Sequence, residues 1–172
     1  MPTFAQKVQV AKELCRELMA VGFGPFLGTP SSILSPFYTA LEKHPGLLVV
    51  ARDDNAIGVA AGASLAGQYP VVLMPSSGLG QSIAAIASLV VPYRIPMLLV
   101  VSLRGANPEA TKENMIMGRL TEPLLDGLGI DAVSLDPESR PTKQVNRLRD
   151  IVRTQLRPAA LLIPPTAFGG RA

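Results

Sequence analysis

Four short polar stretches hold the residues best equipped for chemistry, and each follows directly on an apolar run. In VVARDDNAIGVAAG, Asp53 and Asp54 stand between the end of an expected buried strand and the start of a small-residue helix. A carboxylate at such a junction can hold a proton for a bound group. It can equally cap a helix and answer its dipole. The stretch 75–81, PSSGLGQ, offers Ser77 and Gln81 among glycines. Its backbone N–H groups could take a phosphate at a helix start, or Ser77 to Gly80 could be a tight turn. The fingerprints GxGxxG and GxxxxGK[ST] are both absent from it. The stretch 28–32 supplies Thr29 and Ser32, and Arg104-Gly105 supplies a cation for an acidic side chain or an anionic ligand.

Other chemistries find little material. One His and one Cys exclude the common zinc patterns. A Ser–His pair could use only His44, which reads as an exposed turn residue, and no GxSxG elbow exists. The lone Cys15 falls on an apolar helix stripe, forms no intrachain disulfide and suits a reducing compartment. No apolar run reaches the ~18 residues that span a bilayer, and residues 5–20 are amphipathic rather than a leader. A cytoplasmic protein is expected.

The composition, 48% hydrophobic and 17% charged, is too apolar for disorder and suits a sheet covered on both faces. Strands are expected at 23–27, 47–51, 71–74, 96–102, 130–135 and 159–163. Helices are expected at 3–20, 33–43 with Ser31 or Ser32 as cap, 53–66, 82–91, within 115–127 (broken or started near Pro123), and 138–156. This alternation predicts a doubly wound, mostly parallel six-stranded α/β sheet with helices on both faces. Residues 1–172 read as a single domain, with 164–172 a mobile tail. Arg140, Lys143, Arg147, Arg149, Arg153 and Arg157 interleave with apolar residues at helical spacing. They read as a solvated face, not a nucleic-acid surface. In such a sheet, ligands collect beyond the carboxyl ends of the strands, where all four polar stretches fall.

VVARDDNAIGVAAGASLAG resembles the segment of thiamine diphosphate enzymes in which a carboxylate follows a strand, with Ala three and Gly nine places on. GTPSSILSPF, MPSSGLGQSIAAIASLVVPYRIPMLLVVSLRG and GRLTEPLLDGLGI are similar to further segments of the phosphonopyruvate and sulfopyruvate decarboxylases. The resemblance covers most of the chain from Gly24 to Leu135. It implies a PYR-type domain, the alpha subunit of a two-subunit 2-oxo acid decarboxylase. A separate PP-domain (beta) subunit would hold the diphosphate through Mg2+ with a GDG…N motif. Asp126-Gly127-Leu128 with Asn146 is only a chance match to that motif. In the family a glutamate hydrogen-bonds N1′ of the aminopyrimidine. Asp53 stands at that position, one methylene shorter, and Arg52 would lower its pKa if the side chains meet.

The resemblance further implies that Gly28, Thr29, Pro30, Ser77, Gly78 and Leu79 line the cofactor pocket. Ser32, Gln81 and Arg104 would face a small anionic 2-oxo acid, with Arg104 the cation for a sulfonate or phosphonate. A hetero-oligomer with PYR–PYR or PYR–PP contacts is expected, with no nucleic-acid or membrane partner. Another thiamine decarboxylation or carboligation, or a non-catalytic PYR-like subunit, are the alternatives.

Overall fold

The computed structural model describes residues 3–105, 111–136 and 139–168. Its strands are β1 (Phe26–Gly28), β2 (Leu47–Val49), β3 (Val71–Pro75), β4 (Leu98–Ser102), β5 (Asp131–Ser134) and β6 (Ala159–Ile163). They form one sheet in the order β2-β1-β3-β4-β6-β5, every pair parallel. The expected sheet is therefore present, and it is parallel throughout.

The helices are α1 (Phe4–Ala20), α2 (Ser35–Leu41), α3 (Asp53–Leu65), α4 (Ser76–Ala85), α5 (Lys112–Gly127) and α6 (Pro141–Arg149). Wider π-helical turns extend α4 over Ile86–Val90 and α6 over Asp150–Thr154. The start of the expected last helix at 138 and the stretch 106–110 lie outside the described residues.

Alternation along the strands divides the core in two. Val71, Leu73, Leu98, Val100, Leu161 and Ile163 meet α1, α2 and α6 on one face. Val72, Met74, Leu99, Val101 and Leu162 meet the layer of α3, α4 and α5 on the other. Cys15 is buried in the first cluster, where burial pushes its thiol up to about 12 and leaves it inert.

Several local expectations need correction. β2 is an edge strand, not a buried one: it ends at Val49, and Leu48 and Val49 are 48% and 55% exposed. α4 starts at Ser76, so SSGLG is helix rather than loop. Gly80 is tolerated there because a Cβ would meet the Met117 side chain of α5. α2 starts at Ser35, and no described side chain caps it; Ser35 Oγ donates to the Ser32 carbonyl instead. α5 runs through Pro123 without a break. His44 is half-buried: its Nδ1 accepts from the Gly46 N–H, and its ring sits edge-on to Phe26.

The basic helix face is partly engaged. Arg153 donates to the Val21 carbonyl and stacks over Tyr69, and Arg157 pairs with Asp131 at 2.6 Å. The tail is also partly fixed, since Phe168 is buried against Phe37 with ring centroids 5.6 Å apart. Residues 169–172 of that tail lie outside the described residues.

Candidate active site

From β1 the chain crosses to β2 at one edge and returns to β3 on the other side of β1. The strand order thus reverses between β1 and β3, and a crevice opens at their carboxyl ends. Three elements deliver residues to it. β1 ends at Gly28 and leads into Thr29; the turn after β2 leads to Asp53 as the first residue of α3; β3 leads into Ser76–Gly78 at the start of α4.

These residues meet. Thr29 Oγ1 donates to Asp53 Oδ1 at 2.6 Å. Gly78 lies against the same carboxylate: a Cβ added there would stand 2.5 Å from Oδ2 and 2.8 Å from Oδ1. Glycine at 78 is therefore a steric requirement of Asp53. Gly28 has a similar reason, because its Cβ would strike the Leu73 carbonyl and lie 2.6 Å from Tyr38 Oη. Tyr38 Oη in turn donates to the Thr29 carbonyl at 2.5 Å.

Asp53 is only 8% exposed. Burial pushes its carboxyl above the ordinary carboxylate range, the Thr29 hydrogen bond opposes this in part, and the charge of Asp54 adds to the rise. Tyr38 is raised as well, by burial first and by the Asp53 charge second. The expected help from Arg52 is absent. Arg52 turns to Asp54, with Nη2 2.8 Å from Oδ2, and this pair lowers the pKa of Asp54 instead. Nor does Asp53 cap α3: Arg52 occupies the cap position, and Thr29 engages the Asp53 carboxylate.

A desolvated carboxylate costs stability when ionised, and the sign can be worked out. The folded pKa lies above the unfolded one, so the unfolded chain holds fewer protons between the two values. Stability from this group is full below the unfolded value of 3.8 and is lost as pH rises through the folded one. Asp53→Asn is therefore expected to raise the melting temperature at pH 7 and to lose that gain towards pH 4. Thermal melts followed by circular dichroism check it; an equal gain at both pH values would exclude ionisation as its source.

The remaining expected site residues divide. Pro30, Ser32, Ser77 and Gln81 are exposed, the last two one turn apart on α4. Arg104 lies half-buried two residues beyond β4, its backbone pressed on α5, where a Cβ at Gly118 would strike the Arg104 carbonyl. Ser31 Oγ and Ser102 Oγ, 3.4 Å apart, bring the loop after β1 to the end of β4. Leu79 is fully buried in the core beneath α4, so its side chain offers no surface to a ligand in this chain. Tyr38 was not foreseen. In the sequence it is one aromatic residue in a short helix, and only the turn at Gly28 brings it to Thr29. Among the described residues, no three His, Cys, Asp or Glu side chains cluster to hold a metal ion.

No protein-family model matches the chain. It is 38% identical to the sulfopyruvate decarboxylase subunit alpha of Methanothermobacter thermautotrophicus over 159 residues, 91% of this chain and 96% of that one. It is 36% identical to the subunit of the same name from Methanococcus maripaludis over 122 residues, covering 71% of this chain and 73% of the relative. A phosphonopyruvate decarboxylase of Streptomyces viridochromogenes is 34% identical over 119 residues, 67% of this chain but 30% of that enzyme.

Proposed function

The chain belongs to the family of sulfopyruvate decarboxylase alpha subunits, and from that membership we propose that it is the PYR-type subunit of a thiamine diphosphate-dependent 2-oxo acid decarboxylase. The observation that carries the reading is the buried Asp53, held by Thr29 and backed by Gly78 at the strand-order reversal. These residues fit the aminopyrimidine end of the cofactor. A carboxyl whose proton affinity is raised by burial suits a basic ring nitrogen, and the glycine beside it leaves no side chain in the way.

Thiamine diphosphate, when bound, supplies the electron sink for loss of carbon dioxide. Asp53 holds a proton for N1′. Gly28, Thr29 and Pro30 form one wall of that end of the site, and Ser77 with Gly78 the other. Arg104 at the rim takes the second anionic group of a sulfo- or phosphonopyruvate-like substrate, with Ser32 and Gln81 as polar contacts. The diphosphate and Mg2+ fall to a PP-domain beta subunit. We place the complex in the cytoplasm, where Cys15 stays reduced. Among the described residues, no helix is long and apolar enough to cross a membrane.

The name "subunit alpha" carried by the relatives implies a partner subunit. An apolar layer on this chain is available for it. Val59 and Leu65 of α3 are 44% and 77% exposed, and Ile116 of α5 is 60% exposed on the same side of the sheet. Val59→Arg and Ile116→Arg are expected to leave the fold intact and weaken assembly by at least about tenfold, the loss of one anchoring residue. Light scattering of the mixed subunits reads this, and unchanged assembly in both variants would remove this layer from the interface.

The function itself is tested by mixing the chain with its partner, thiamine diphosphate and Mg2+, and following carbon dioxide from sulfopyruvate and phosphonopyruvate. Release from either supports the reading. No turnover with any 2-oxo acid overturns it.

A further inference from the structure

We propose that Thr29 is a positioning residue that decides which oxygen of Asp53 carries the exchangeable proton, an inference that rests on the reading above. Thr29 Oγ1 donates to Oδ1 at 2.6 Å, so Oδ1 is committed as an acceptor. A proton on this carboxyl then resides on Oδ2, the oxygen nearest to where a Cβ at position 78 would stand. A short carboxylate has little freedom to find its target. Fixing one oxygen removes the wrong orientation before any ligand arrives.

Thr29 is itself held from behind. Tyr38 Oη donates to the Thr29 carbonyl at 2.5 Å, and the missing side chain at Gly28 admits the phenol. The phenol hydrogen is thereby spent on the backbone and does not compete for Asp53. The charged neighbours are few. From α2 only neutral Tyr38 faces Asp53, and Asp54 on α3 is paired with Arg52. From α4 the contact is Gly78, which does not titrate. The Thr29 hydroxyl is therefore the larger of the contacts that favour the ionised carboxyl and oppose burial, the other being the backbone N–H of Asp53 itself.

The test reads the Asp53 carboxyl directly. In the full chain without cofactor, the side-chain carboxyl carbon is followed by carbon-13 NMR as pH is varied. Thr29→Val is expected to raise the midpoint by about one pH unit, the scale of one hydrogen bond to a charged group. Thr29→Ser, which keeps the hydroxyl, should return it to the wild-type position. Thr29→Ala gives the same reading if valine does not fit. In the assembled complex, the alkaline limb of the kcat profile, where Asp53 gives up the proton it holds, should move up in Thr29→Val. An unchanged midpoint in Thr29→Val and Thr29→Ala, or Thr29→Ser titrating like Thr29→Val, would overturn the proposal. The NMR result stands whether or not the complex decarboxylates, so its failure is separable from failure of the proposed function.

Discussion

Asp53→Ala is expected to abolish decarboxylation by the assembled enzyme, with a fall in kcat of at least about 10²–10⁴-fold, the usual worth of a positioned acid–base group. The expectation comes from its surroundings as much as from its type. Among the described residues, Asp53 is the one carboxylate brought to the β1/β3 crevice in a buried, hydrogen-bonded state. Its neighbour Asp54 is paired with Arg52 at the surface and cannot replace it. Asp53→Glu should preserve the activity or raise it, since the added methylene lengthens the reach of the carboxylate. Steady-state assays with the partner and saturating cofactor check both substitutions. An alanine variant that keeps more than a tenth of the activity would exclude Asp53 from the chemistry.

The second large effect is expected at a glycine. Gly78→Ala should leave the chain folded and reduce kcat by about 100-fold. In an ordinary helix, alanine in place of glycine gains about 0.5–1 kcal/mol. Here the new Cβ would stand 2.5 Å from Asp53 Oδ2, against about 3.4 Å for ordinary contact. Asp53 is short, so the carboxylate or the start of α4 must give way by about 1 Å, a displacement that can cost 10²-fold in rate. The clash also predicts non-additivity. Adding Asp53→Ala should recover the stability that Gly78→Ala loses, because the obstructed group is gone. Melting curves of the two single variants and the double variant test this. If the losses simply add, the two residues are not in contact.

The site was legible in part. Asp53 stood out because a carboxylate one residue past the end of an apolar run is a local signal. Gly28, Thr29 and the glycines of 75–81 could be placed on the same rim from the alternation of strands and helices. The contacts among them were not legible. Thr29 and Asp53 are 24 positions apart, and only pairing of β1 with β2 closes that distance. Charge proximity along the chain pointed to Arg52 as the partner of Asp53, but the turn into α3 directs Arg52 to Asp54. The glycines at 78 and 80 read as loop formers because their intrinsic helix propensity is low. They sit in a helix because Asp53 and Met117 need the space their side chains would fill.

By itself, then, the order of apolar runs and breakers determined that this chain is a parallel α/β sheet with its polar strand-to-helix loops at one edge. Period-two and period-3.6 patterns report burial within a few residues, and burial of one face is what makes a strand or a helix. The tertiary structure alone decided that β2 is an exposed edge, that Phe168 closes the core, and that one aspartate is desolvated while the next is paired at the surface. Each of these depends on which elements become neighbours in space. Sequence periodicity carries no record of that order, because any arrangement that covers the same apolar faces satisfies it equally well.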